Sequence, residues 1–147
     1  MRIAFGTDEE TPLTAAVVAD LTGRGHRVEV VGAGQAWPEV GRAVAEAVAA
    51  GRAERGVVCC YTGTGVTIAA NKVPGVRAAL CTDGETAAGA RRWNDANVLA
   101  FGLRLTSATV AGEMITAFLA TEPDGDELTT IARVETGSAS APPAARR

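Results

Sequence analysis

Apolar residues along this chain alternate between short runs and stretches in which they recur every three or four positions. Residues 2–6 form a brief apolar run ending in glycine, and behind Thr11-Pro12 the positions Leu13, Val17 and Leu21 fall on one helical face. A strand, a loop and a helix are predicted. Beyond Gly23 and Gly25, the run 28–31 reads as a second strand, and Val40, Val44, Ala47 and Val48 mark a helix entered through Pro38 and closed by Gly51. The unit then repeats. Strands are predicted at 56–60, 76–81 and 97–101, with helical stretches near 63–71 and 84–93 between them. A sixth periodic segment (Val110, Met114, Phe118) follows Thr106-Ser107, and a weaker one spans 126–135.

The strand candidates are continuous apolar runs, the pattern of strands buried on both faces, and their alternation with helices implies a parallel sheet wound by right-handed crossovers. The expected fold is therefore α/β, a three-layer doubly wound sandwich with a five-stranded parallel sheet of Rossmann-like type. One domain is expected over residues 1–136. Residues 137–147 consist of Gly, Ser, Ala, Pro and Arg with no apolar period, which predicts a disordered tail. The last helix has too little apolar character to cap its own domain, so it is expected to pack on a neighbouring copy.

Composition narrows the partners. The chain has 147 residues, 47% hydrophobic and 21% charged, with a formal charge of −3. That balance supports a real core and argues against nucleic acid or an anionic membrane as partner, leaving small molecules. No apolar run approaches the roughly 18 residues of a membrane span. Met1 leads straight into a strand-like segment, so no signal peptide is expected and a cytoplasmic location follows. The three cysteines, Cys59, Cys60 and Cys81, form no C-x-x-C pair, and His26 is the only histidine. Free thiols are expected, with no metal site and no cofactor.

In such a sheet ligands bind beyond the carboxyl ends of the strands, which points to the loops after strands 1, 3 and 4, and two of these are distinctive. The first carries Gly6-Thr7-Asp8-Glu9-Glu10, whose carboxylates either face a ligand or complement the dipole of the following helix. The second runs Cys60-Tyr61-Thr62-Gly63-Thr64-Gly65-Val66-Thr67 and continues as Ile68-Ala69-Ala70-Asn71-Lys72. Two glycines let backbone approach a ligand closely, and successive amides opening a helix make an anion hole. Helix packing or a tight turn would demand the same glycines. A dinucleotide fingerprint fits poorly, since it belongs after the first strand and expects glycine where Ile68 stands. Cys60 lies just before those amides, where a thiol pKa falls below its free value of roughly 8.5, so it is a candidate base or nucleophile. Cys59 should face the other side of the strand and pack in the core, as should Cys81, while His26 is expected to be structural.

The order of these motifs resembles the ribose-5-phosphate isomerase B and galactose-6-phosphate isomerase family over about residues 2–135. The resemblance rests on Gly6-Thr7-Asp8, on Thr62-Gly63-Thr64-Gly65 running into Ile68-Ala69-Ala70-Asn71-Lys72, on Val76-Arg77-Ala78-Ala79-Leu80-Cys81, and on Asn94-Asp95-Ala96-Asn97-Val98-Leu99-Ala100-Phe101-Gly102. It implies an enzyme that interconverts aldose and ketose phosphates without a metal, moving a proton between C1 and C2 through an enediolate. It also implies homodimers or homotetramers with the active site between subunits. By the same resemblance Cys60 is the base, while Thr62 and the amides of Gly63, Thr64, Gly65, Val66 and Thr67 hold the enediolate oxygens. Asp8 and Asn94 then meet sugar hydroxyls, and Arg104 and Arg133 meet phosphate.

The departures from the family are as specific as the matches. Trp93 stands where members usually carry the histidine credited with ring opening, and Glu9 replaces the histidine after the first-loop aspartate. Tyr61 replaces the glycine after the base, and Thr129-Thr130 replaces an Arg-His pair. Glu9, Tyr61 and Trp93 therefore reshape the expected pocket. Three readings follow: an isomerase whose substrate is presented open-chain or with a different tail, the cysteine-bearing half of a two-chain isomerase, or a non-catalytic sugar or nucleotide binder with Trp93 as stacking platform.

Overall fold

A computed structural model of the chain describes residues 1–136, so the predicted tail at 137–147 lies outside the described residues. Five strands alternate with helices: β1 (Arg2–Thr7), α1 (Pro12–Gly23), β2 (Arg27–Ala33), α2 (Trp37–Ala49), β3 (Arg55–Cys60), α3 (Thr64–Ala70), β4 (Ala78–Leu80), α4 (Gly84–Asn94), β5 (Val98–Gly102) and α5 (Ala108–Ala120). A 3-10 turn at Gly125–Glu127 leads into α6 (Leu128–Thr136). Every strand pairing is parallel, in the order β2-β1-β3-β5-β4. The fold is the three-layer α/β sandwich that the hydrophobic pattern predicts.

Crossover handedness explains which helix lies on which face. The chain steps one way from β1 to β2, then back across β1 to β3 and on to β4, and reverses again to insert β5 between β3 and β4. Right-handed crossovers therefore place α2 and α3 on one face and α1 and α4 on the other. The cores agree. Ile3, Phe5, Leu21, Leu99, Phe101 and Met114 pack in one layer with Cys59, and Ala4, Val40, Val44, Val58, Val66 and Val98 pack in the other with Cys60. The second layer is thin because its residues are small. A methyl on Gly6 would lie 2.7 Å from Val44 Cγ2, and one on Gly41 would lie 2.8 Å from the Val66 carbonyl oxygen. Glycine thus lets α2 sit directly on the sheet and on α3, which seats the first turn of α3 above the end of β3.

Burial on both faces holds for β1, β3 and β5, but β2 and β4 are edge strands with partly exposed residues. Val30 and Leu80, both inside predicted buried runs, are exposed. The run at 76–81 also shortens to three strand residues, in keeping with short edge strands. Part of that edge is closed locally, because the Asn71 amide accepts from Ala78 N–H at 2.8 Å and donates to its carbonyl at 2.9 Å, standing in for a missing strand.

Candidate active site

The strand order reverses at β1, so the crevice between the loops after β1 and β3 is where a ligand enters such a sheet. Both predicted loops are there. Thr7 is buried, and its hydroxyl donates to the Glu9 carbonyl at 2.7 Å while accepting from Glu9 N–H at 3.3 Å, which folds residues 7–9 into a tight turn. The turn leaves Asp8 Oδ1 buried without a hydrogen-bond partner. Burial pushes the Asp8 carboxyl above its ordinary pKa, opposed by its own backbone hydrogen bond and reinforced by Glu9.

On β3, Cys60 is 4% exposed and lies on the α2–α3 side, whereas Cys59 points into the opposite core and donates weakly to the Gly6 carbonyl at 3.8 Å. Alternation along a strand separates the two thiols as expected. Burial pushes the Cys59 thiol up to about 12 and the Cys81 thiol to about 11, so both stay protonated. The chain then turns through Gly63, whose φ of 79° is left-handed and whose Cα faces the end of β5. A methyl there would lie 2.7 Å from the Phe101 carbonyl carbon, and one on Gly102 would lie 2.6 Å from the Thr62 carbonyl oxygen. The close approach fixes Thr62-Gly63 against the sheet. No side chain caps α3, so its opening amides, Thr64, Gly65 and Val66, have no partner within the helix. The Thr62 and Thr64 hydroxyls lie 2.8 Å apart beside them, and the Thr67 hydroxyl turns back to the Gly63 carbonyl at 2.6 Å.

Leu103 N–H donates to the Cys60 carbonyl and Arg104 N–H to that of Tyr61, both at 2.9 Å, which extends the β5 ladder and places Arg104 beside the same loop. Tyr61 and Arg104 are exposed, and Trp37 packs its ring on Gly65. Asp8, Glu9, Cys60, Tyr61, the residues 62–67 and Arg104 therefore share the carboxyl edge of the sheet.

Trp93, Asn94 and Arg133 do not. A crossover helix runs against its strands, so the last turn of α4 lies at the amino edge, where Asn97 accepts from Gly56 at the start of the β3–β5 ladder. Four residue steps from Gly56 to Cys60 make a separation of about 13 Å along the strand, beyond the reach of an asparagine side chain. Arg133 is on α6, tied to the start of β4 through Glu135 and Arg77. A groove of about 1040 Å³ runs along the β4 edge between the two regions, from Cys81 and Asp83 to Asn94 and Glu135. It does not include Cys60. Leu80, Trp93 and Val134 line it and expose apolar surface. The family resemblance grouped these residues in a site shared between subunits without saying which of them one copy keeps apart; for Trp93 and Asn94 the antiparallel course of α4 was the available signal.

Among the described residues no cluster of three or more His, Cys, Asp or Glu side chains converges on one point, and no helix is long and apolar enough to cross a membrane.

The unpartnered Asp8 oxygen carries a prediction. A carboxyl whose pKa is higher in the folded chain binds protons more tightly there, so its ionisation opposes folding and stability falls as pH rises through that pKa. Asp8→Asn is expected to raise Tm at neutral pH, with the gain shrinking as the pH drops below the Asp8 pKa. If the oxygen serves a sugar hydroxyl, the same change lowers kcat/KM about tenfold. Thermal unfolding across pH and steady-state kinetics check the two halves.

A family model described as Ribose/Galactose Isomerase matches residues 3–136. The chain is 39% identical over 131 residues to ribose-5-phosphate isomerase B of Escherichia coli (strain K12), covering 84% of this chain and 87% of the relative. It is 35% identical over 131 residues to D-erythrulose-4-phosphate isomerase of Pectobacterium atrosepticum, covering 85% and 86%. A solved structure of ribose-5-phosphate isomerase B from Clostridium thermocellum superposes with a TM-score of 0.89 at 36% identity, over 94% of this chain and 97% of the other.

Proposed function

The chain belongs to the ribose/galactose isomerase family, and from that premise we propose that it interconverts a short aldose phosphate and its ketose, with Cys60 moving the proton. The observation that carries this reading is the loop from Cys60 to Val66: a thiol at the end of β3, followed at once by two hydroxyls and a set of free amides. Cys60 as thiolate takes the proton from C2 of the aldose, and the electron pair shifts onto the carbonyl oxygen at C1. The resulting enediolate carries negative charge on oxygen, which Thr62 and the amides of Gly63 to Val66 stabilise without reorganising; the Thr67 amide, expected to join them, already donates to the Gly63 carbonyl at 3.3 Å. The O2 hydroxyl proton passes to O1, and the thiol returns its proton to C1 as the C2–O bond becomes the carbonyl, giving the ketose. No step in this sequence needs a metal.

Asp8 presents its unpartnered oxygen to a sugar hydroxyl, and Arg104 suits a phosphate because its fork meets two oxygens at once. Asn94 and Arg133 reach a substrate at Cys60 only from a second copy. A two-fold partner seated along the β4 groove sets the amino edge of one sheet against the carboxyl edge of the other, and covers Leu80, Trp93 and Val134. The active form is thus a homodimer, or a homotetramer built from such dimers.

Trp93 selects among substrates. Its indole has only an N–H donor and no basic nitrogen at neutral pH, so it cannot shuttle the protons of ring opening. A tetrose 4-phosphate needs no such help, because the hydroxyl that would close a furanose is esterified. The relative named for erythrulose 4-phosphate accords with this choice. A cytoplasmic setting accords with three unpaired, buried cysteines.

The test is interconversion of aldose phosphates of four to six carbons, before and after treatment with a chelator. Turnover that is greatest for the tetrose phosphate and indifferent to chelation is expected. Binding without turnover across the series would instead make the chain a sugar-phosphate binder, and activity that appears only with a second, related chain would make it half of a composite enzyme.

A further inference from the structure

We propose that Arg77, Asp95 and Glu135 are positioning residues that lock the Trp93–Asn94 turn and the Arg133 helix into one unit for delivery to a neighbouring copy's site. The proposal rests on the reading above that a second copy completes that site.

Asp95 follows Asn94 directly and ends α4 with a φ of 45°, the one left-handed non-glycine among the described residues. A residue with a Cβ adopts that conformation at a steric cost that glycine avoids, so something must hold it. Two guanidinium groups do. Arg91 Nη1 donates to Asp95 Oδ1 at 2.7 Å and Arg77 Nη2 donates to Oδ2 at 3.1 Å, while Arg77 Nε donates to the Asp95 carbonyl at 2.9 Å. Arg91 is 1% exposed and is itself fixed, donating to the Ala96 and Thr121 carbonyls and lying 5.7 Å from the Phe118 ring centroid. The turn bearing Asn94 is therefore anchored to α5 and to the start of β4.

The third nitrogen of the Arg77 guanidinium is directed to α6. Its Nη1 donates to Glu135 Oε1 at 2.8 Å, two residues beyond Arg133. Apart from this bond α6 is held mainly by Ile131, its one buried residue, with Leu128 and Val134 exposed. The turn before α6 is held separately, by Asp124 N–H donating to the Arg92 carbonyl at 2.8 Å, so without the Arg77 link α6 itself keeps one buried side chain, Ile131, to fix its rotation and with it the direction of Arg133. Asn94 and Arg133 are thus joined through a single guanidinium, although 39 positions separate them in sequence.

The experiment uses full-length protein and D-erythrulose 4-phosphate, with three variants. Arg77→Met is expected to lower kcat/KM about tenfold through misplacement of the binding groups. Arg77→Lys recovers part of that loss, since it keeps the charge but not the fork. Glu135→Gln, at an exposed position that leaves the Asp95 cluster intact, is expected to raise KM about threefold with kcat little changed.

The decisive arm mixes copies. Cys60→Ala and Arg77→Met chains, unfolded together and refolded, form hybrids in which one site has an intact Cys60 and an intact partner half. Random pairing of a symmetric dimer restores about a quarter of native activity. Were Arg77 to support only its own copy's Cys60 loop, mixing would restore nothing beyond the two inputs, and the proposal would be overturned. Native activity in both Arg77→Met and Glu135→Gln would overturn it as well. Should Arg77→Met not fold, the KM shift in Glu135→Gln and its complementation with Cys60→Ala decide. A native protein that turns over no aldose phosphate is a separate outcome: it defeats the isomerase reading itself, and this proposal with it.

Discussion

Cys60→Ala is expected to lower kcat/KM by roughly three orders of magnitude, the scale on which a positioned proton-transfer group contributes. The argument is local. Cys60 ends β3 on the side of α2 and α3, immediately before Thr62 and the uncapped first turn of α3, so one substrate can meet the thiol and the oxyanion donors together. Cys59 is a built-in control at the neighbouring position. It faces the other core, its thiol is pushed up to about 12 by burial, and it has no path to the same carbon. Cys59→Ala should therefore lose some stability but keep kcat/KM within a few-fold of native. Equal losses from the two variants, or none from Cys60→Ala, would remove Cys60 from the chemistry.

The second large effect concerns Trp93. The native protein is expected to prefer D-erythrulose 4-phosphate over ribose 5-phosphate by about a hundredfold in kcat/KM, because the longer sugar must be opened and this position supplies no proton shuttle. The indole is 53% exposed, lies along its own helix against Gly89, and has the Arg92 guanidinium 5.7 Å from its ring centroid. It therefore presents a broad apolar wall toward the β4 groove. Trp93→His removes the wall and installs a base, so the preference should narrow as turnover of ribose 5-phosphate rises. Kinetics of both proteins on both substrates measure it. A native enzyme that handles ribose 5-phosphate as well as the histidine variant would show that ring opening does not depend on this position.

The number and order of elements were legible because continuous apolar runs alternate with segments of helical period along the chain and Gly and Pro punctuate them. The exchange of β4 and β5 was not. Apolar runs report burial, and strand order depends on which crossover doubles back, a choice that leaves little trace in sequence. Leu80 shows the consequence: in the sequence it belongs to a buried run, and in the fold it is on an open edge, against a groove. The carboxyl-edge half of the candidate site was readable from Asp8 and the Cys60–Gly65 loop, because both follow apolar runs that end at the same edge of a parallel sheet. Its other half was legible only through family resemblance. The buried Arg91 and the bridging Arg77 were also missed, because charge in a sequence reads as surface until a partner such as Asp95 is brought to it by tertiary structure.

The most direct measurement of the central claim is the source of the hydrogen delivered to C2 when the reaction is run in deuterated water. D-erythrulose 4-phosphate is incubated with the native protein and, separately, with Cys60→Ala at equal concentration, and the aldose phosphate formed is examined for deuterium at C2. Proton transfer through an enediolate on an exchangeable thiol predicts deuterium at C2 with the native protein and none above the uncatalysed level with Cys60→Ala. Deuterium uptake by Cys60→Ala at the native rate would contradict the account.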